Sequence, residues 1–193
     1  MAENDMSAAG SALQKLIAGN EAYVTSATNS ADTSPARMIE TARDGQAPYA
    51  VVVTCSDSRV PPEHIFSAGI GDLFVIRTAG NVIGDFERGS IEYAVGPLGV
   101  PLVVIMGHSQ CGAVGAALAG SASGYLDTVV EEIQRGIMDA ANEQEAIRSN
   151  ISHSLRCIMQ SEAVLSLVEA GQLKVVGAEY DLQTGRVSFL AEV

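Results

Sequence analysis

Three short apolar runs mark the middle of the chain: "PYAVVVT" (48–54), "DLFVIRT" (72–78) and "PLVVIMG" (101–107). Each is rich in Val or Ile and is bounded by Gly, Pro, Asp or Ser. Apolar runs without polar alternation predict strands buried on both faces, as in a parallel sheet. Between the second and third runs, "GSIEYAVGPLG" (89–99) predicts a helix with Ser90 as its N-cap. After the third, "CGAVGAALAG" is small and apolar and predicts a closely packed helix. Residues 123–137 and 143–170 predict two more. "KVVGAEYDL" (174–182) and "RVSFLAE" (186–192) predict strands joined by a turn at "QTG", so the last strand pairs antiparallel at an edge.

Ahead of the first strand, Leu13, Leu16, Ile17 and Tyr23 fall at helical spacing within residues 8–24. Residues 25–36 are polar and read as an extended connector. "RMIETARDG" is a short helix closed by Gly45. Residues 1–36 are thus expected to be a helical arm and connector, able to reach another subunit. Residues 37–193 form the α/β core of what reads as a single domain. Strands alternating with helices predict a three-layer α/β architecture with a mostly parallel sheet. Right-handed crossovers limit the topology, and the expected order is 2-1-3-4 with strand 5 on the edge. The first and third strands then meet at a topological switch point, beyond whose carboxyl ends ligands bind.

Composition narrows the function. A formal net charge of -12 argues against nucleic acid or an anionic membrane as partner, since both need basic patches. No apolar run approaches the ~18 residues of a membrane span. "MAENDMSAAG" lacks the basic and apolar regions of a secretory signal. Three cysteines make a poor disulfide framework, so a reduced, cytoplasmic compartment is expected. These features suit a soluble protein with a small-molecule substrate.

The switch point brings chemistry together. Cys55 follows the first strand, and "GHSQCG" after the third supplies His108 and Cys111. Two sulfurs and one imidazole suit tetrahedral zinc, and three protein ligands leave one position open. Asp57 and Arg59 follow Cys55 at every second residue, so strand alternation turns them to the same side. Arg59 can hold Asp57 by a paired, charge-assisted hydrogen bond. Asp57 can then accept a hydrogen bond from zinc-bound hydroxide and aim its lone pair at a substrate. Read singly, the cysteines could be buried apolar residues and Asp57–Arg59 a structural ion pair. Cys157, at helical spacing with Ile151, Leu155 and Ile158, reads as core packing, and His153 as a solvated helix residue.

"CSDSR" followed by "GHSQCGA" resembles the β-class carbonic anhydrases. "EHIFSAGIGDLFVIRTAGNVI", "GSIEYAVGPLGV" and "VVGAEYDLQTGRVSF" fit the same pattern in order, so the resemblance runs from about residue 11 to the C-terminus. It implies Zn2+ on Cys55, His108 and Cys111, with Asp57 and Arg59 as a catalytic dyad and Asp57 a fourth ligand in any closed form. It implies that Gln46 hydrogen-bonds substrate or bicarbonate, and that Phe74, Tyr93 and Gly112 line the substrate pocket. Part of that lining crosses a dimer interface in the family, which implies a homo-oligomer with the dimer as minimum unit and a tetramer as a further possibility. The implied reaction is reversible hydration of carbon dioxide to bicarbonate and a proton. Carbonyl sulfide or carbon disulfide as substrate, or a zinc-binding protein without turnover, stay open at this point. Thr78 stands where asparagine is more usual, and Val52 where some members carry the tryptophan of an inhibitory bicarbonate site.

Overall fold

The structure, a computed structural model, describes residues 7–26, 29 and 31–192. Residues 1–6, the connector positions 27, 28 and 30, and residue 193 lie outside the described residues. One sheet contains β1 (Ala50–Cys55), β2 (Leu73–Thr78), β3 (Leu102–His108), β4 (Lys174–Tyr180) and β5 (Val187–Glu192). The order is β2-β1-β3-β4-β5, with β5 antiparallel and the rest parallel, as the apolar pattern predicts. The helices are α1 (Ala8–Thr25), α2 (Pro35–Asp44), α3 (Pro62–Ile65), α4 (Asp85–Val95), α5 (Gly112–Ala119), α6 (Leu126–Ile137), α7 (Glu143–Ile158) and α8 (Glu162–Glu169).

β1 and β3 are buried along their whole length. Val51, Val53, Val103 and Ile105 face a layer built from α4 to α8. Ala50, Val52, Val104 and Met106 face a thinner layer of α1 and α3. Both faces are dry, which is why these runs show no alternation. β2 departs from the expectation of full burial. It is the edge strand, half-buried with Arg77 exposed, because one flank has no strand neighbour among the described residues, and an apolar run does not encode its place in the sheet.

The helix expected to reach out as an arm packs on its own sheet. Leu16 is fully buried. The Asn20 amide donates to the carbonyls of Ile65 (3.2 Å) and Gly185 (2.9 Å), and its oxygen accepts from the Val187 N–H (2.8 Å). A Cβ on Gly19 would fall 1.9 Å from the Phe66 carbonyl oxygen, so only glycine permits this approach.

Several helix boundaries differ from the expected ones. α4 begins at Asp85, where the Glu87 carboxylate accepts from the Gly84 N–H (2.8 Å). Ser90 lies inside it, donating to the Phe86 carbonyl (2.7 Å) rather than capping. The helix ends before Gly96 because Pro97 disfavours helical geometry in the preceding residue. Residues 143–170 divide into α7 and α8, since the Ser161 side chain accepts from the Val164 N–H (3.2 Å) and starts a new helix. α6 starts at Leu126, after Gly124 adopts a positive φ of 65°.

Candidate metal centre

β1 ends at Cys55 and β3 at His108, and the two strands run parallel with Thr54 beside Met106. Both chain ends therefore emerge on one edge of the sheet. A turn through Gln110, at φ 55°, delivers Cys111 to the N-cap of α5. The donor atoms of Cys55, His108 and Cys111 lie within 4.8 Å of one another, and all three residues are buried. His108 Nδ1 sits 2.9 Å from the Ser109 carbonyl oxygen. That acceptor holds a proton on Nδ1 and leaves Nε2 as a bare lone pair. Nε2 is buried and finds no hydrogen-bond partner among the described residues. An orphaned buried polar atom costs ~1–3 kcal/mol, and a cation between the imidazole and two sulfurs removes that cost. The donor set fits zinc.

The surroundings prepare the sulfurs for a cation. The N–H groups of Gly80 (3.3 Å) and Asp57 (3.4 Å) both donate to Cys55 Sγ. Hydrogen bonding from Cys111 pulls the Cys55 thiol down most; burial opposes this, and the Asp57 and Gly80 N–H groups assist it. Cys111 moves up, chiefly because it is the donor to that thiolate, with burial adding to the effect. A divalent ion is what allows both to be thiolates.

Asp57 and Arg59 do meet, but not through strand alternation. β1 stops at Cys55, and a turn follows in which the Val60 N–H donates to the Asp57 carbonyl (3.0 Å). The Asp57 side chain closes on the Arg59 N–H (2.9 Å), an Asx-type turn that local chemistry favours at aspartate. Arg59 then grips both carboxylate oxygens, Nε to Oδ1 at 3.0 Å and Nη2 to Oδ2 at 2.7 Å. Asp57 Oδ2 lies 4.0 Å from His108 Nε2. The Arg59 hydrogen bond is the main reason the Asp57 carboxyl is held down at about 2.

Gly112, the first residue of α5, is exposed beside Cys111. Gln46, Phe74 and Tyr93 are not brought to the donors within one chain. Gln46 precedes β1, at the end opposite Cys55. Phe74 pairs in register with Val51, four residues before Cys55, or about 13 Å along the strand. Tyr93 packs on Phe74, ring centroids 6.2 Å apart, and stays half-exposed.

Several supporting residues were given no role by sequence reasoning. Arg77 donates to the carbonyls of Cys55 (3.1 Å) and Asp57 (2.6 Å), pinning the loop that carries the dyad. Asn150 donates to the Gly80 carbonyl (2.7 Å), and Ser154 to the Asn81 carbonyl (3.0 Å). Both are buried among Ile147, Ile151 and Leu155 on α7. The available signal was two polar residues, four apart, on an otherwise apolar helix face. Thr78, the departure from the family pattern, donates to the Val82 carbonyl (2.8 Å) and closes the same turn from the other side.

A mostly parallel sheet carrying two cysteines, a histidine and an arginine-held aspartate at its strand ends is the frame of a metalloenzyme. The family model for carbonic anhydrase matches residues 50–187, and the chain belongs to this family, in its β class. It is 42% identical over 153 residues to Carbonic anhydrase 2 of Mycobacterium tuberculosis, a match covering 74% of each chain. Among solved structures, it is similar to one of two tetrameric β-carbonic anhydrases from Sordaria macrospora. That match has 27% identity and a TM-score of 0.73, and covers 82% of this chain and 89% of that one. The β-carbonic anhydrase CafA of Aspergillus fumigatus is also similar, with 33% identity, a TM-score of 0.72 and coverage of 80% and 81%. The chain is therefore an enzyme, a carbonic anhydrase, and its family's reaction is the hydration of carbon dioxide.

Proposed function

We propose that Cys55, His108 and Cys111 hold one zinc ion, and that this chain interconverts carbon dioxide with bicarbonate and a proton there. The observation that carries the proposal is the buried, unpartnered His108 Nε2 facing two thiol sulfurs at the switch point. Zinc bound by three protein donors supplies a hydroxide near neutral pH by lowering the pKa of water towards about 7.

The chain's own residues do the rest. Asp57, held ionised by Arg59, is an acceptor only, so it takes a hydrogen bond from the nucleophile's O–H and turns the lone pair towards the substrate. Arg77 fixes the backbone that carries Asp57. Gly80 and Asp57 N–H groups keep the Cys55 sulfur in place. Carbon dioxide is linear and apolar, so it needs an apolar wall and one amide, which Phe74, Tyr93 and Gln46 supply from a second copy of the chain. Their place at the opposite ends of the strands supports that assignment, as does the tetrameric state of the Sordaria macrospora relative. The working unit is then at least a homodimer. Bicarbonate leaves as water enters, and the proton passes to buffer.

The test is stopped-flow carbon dioxide hydration on protein of measured zinc content, scanned from pH 6.5 to roughly 9 across the zinc-water range. Turnover should rise with pH. Cys55→Ser should lose more than the ~10–100-fold that follows loss of an outer-shell partner. Protein with one zinc per chain on this donor set and no turnover at any pH would overturn the reading.

A further inference from the structure

A second cluster of metal-binding side chains lies between α6 and α7, away from Cys55, His108 and Cys111. Glu132, His153 and Cys157 place one donor atom each within 4.8 Å of the other two. Sequence reasoning took His153 as solvated, but its side chain is 16% exposed and its Nε2 lies 2.8 Å from Glu132 Oε1. Cys157 Sγ is 3.7 Å from the same oxygen and 3.6 Å from the same nitrogen. The three donor atoms form a triangle with edges of 2.8, 3.6 and 3.7 Å. A relay of the Cys-His-Glu kind would need sulfur and carboxylate on different ring nitrogens, and here they share Nε2.

From these residues we infer that Glu132, His153 and Cys157 form a second site for a zinc-class divalent ion. Tetrahedral zinc with Zn–S near 2.3 Å and Zn–N and Zn–O near 2.0–2.1 Å requires donor separations of about 3.6 Å for S···N, about 3.5 Å for S···O and about 3.3 Å for N···O. Both sulfur distances already meet this within a few tenths of an ångström. Only the His153–Glu132 pair must open, by about half an ångström, as its hydrogen bond gives way to the ion.

The helices are built to allow this convergence. His153 and Cys157 are four apart on α7, so they share a face. Glu132 and Gly136 share a face of α6 in the same way. A Cβ on Gly136 would fall 2.5 Å from the His153 Cβ. Glycine at 136 therefore lets the two helices approach until the Glu132 carboxylate reaches the imidazole. Arg135 binds the other carboxylate oxygen, Oε2, which leaves Oε1 to face His153 and Cys157. A cavity of about 470 Å³ has Glu132 and Arg135 on its wall. Burial, and then the Glu132 charge, push the Cys157 thiol up. An ion would take Cys157 through Sγ as thiolate and His153 through Nε2.

The experiment compares zinc bound per chain in the parent enzyme, Cys157→Ser and Glu132→Gln. Each is equilibrated with excess zinc, passed through a desalting column and analysed for metal. Both substitutions are close in size, and circular dichroism and carbon dioxide hydration confirm that each variant is folded with its first site intact. The expected result is one equivalent less zinc in each variant than in the parent, and a zinc-dependent rise in Tm that is smaller in the variants. Equal zinc content in the parent and both folded variants would overturn the second site and leave the cluster as a hydrogen-bonded helix contact. Because the comparison is a difference, it reads the same whether or not the first site is loaded.

Discussion

Gly80→Ala tests how tightly the candidate centre is built into the core. Gly80 holds φ at 67°, and a Cβ there would lie 2.6 Å from Ile133 Cδ1 and 3.1 Å from Ala113 Cβ. Left-handed backbone costs an alanine ~1–2 kcal/mol. Forcing a methyl against the fully buried Ile133 adds ~1–3 kcal/mol. The lower entropy of an unfolded alanine returns ~0.4–1 kcal/mol. The net destabilisation is then roughly 1–4.6 kcal/mol. Gly120 provides the control, with φ 63° and nothing within 4 Å of its Cβ direction. Gly120→Ala carries the backbone cost alone, about 1 kcal/mol or less. Urea unfolding of the metal-free proteins at one fixed concentration measures both. Gly80 also donates to Cys55 Sγ and accepts from Asn150, so Gly80→Ala should weaken zinc binding by ~10–100-fold, the usual cost of disturbing an outer shell. Gly120→Ala should leave zinc binding unchanged. Equal stability losses and equal zinc affinities for the two variants would refute the idea that this turn shapes the centre.

Three further outcomes are expected. Stripping zinc with a chelator should abolish turnover, and restoring it at a hundred times its Kd should stabilise the fold by ~2.7 kcal/mol, read as a rise in the urea midpoint. The Asp57 carboxyl, held at about 2, contributes stability that is complete above its ordinary value of 3.8 and is lost as pH falls through about 2. The gap in urea midpoint between metal-free parent and Arg59→Ala should therefore be widest above pH 4 and close towards pH 2; a gap indifferent to pH would refute the pairing. Mixing Cys55→Ser with Gln46→Ala should rescue about a quarter of parental activity, because half the dimers are mixed and each regains one of its two sites. No rescue, with subunit exchange demonstrated, would place Gln46 and Cys55 in the same chain's pocket.

Much of this was legible in the chain because parallel strands announce themselves twice. Continuous Val and Ile runs mark strands with two dry faces, and the residue after each run falls at the sheet's carboxyl edge. That is why Cys55, His108 and Cys111 could be brought together on paper. The Asp57–Arg59 pair was found for a different physical reason from the one expected, since alternation and an Asx turn both set two-residue spacing. Arg77, Asn150 and Ser154 were not assigned roles because each acts on a backbone carbonyl, and a carbonyl leaves no trace in side-chain chemistry. His153 was misread for a related reason. Its burial depends on Gly136 in a different helix, and helical periodicity reports only a helix's own faces.

Strand polarity is also the reason the proposed pocket draws on a second chain. The donors sit where β1 and β3 end, and Phe74 sits beside Val51, near where β1 begins. Hydrogen bonds along β1 and β2 fix that separation, so no loop movement within the chain can close it. In the proposed dimer, a two-fold axis perpendicular to the strands would run the second sheet the other way and present its strand beginnings to the first copy's strand ends. The half-buried β2 edge, with the half-exposed Tyr93 packed on Phe74, offers a surface for such a contact, and Met38, Ile39 and Phe86 are further exposed apolar side chains. α2 buries none of its own side chains in this chain. In the proposed dimer a helix with exposed Met38 and Ile39 and no core of its own would gain its packing from the partner, tying assembly to completion of the pocket.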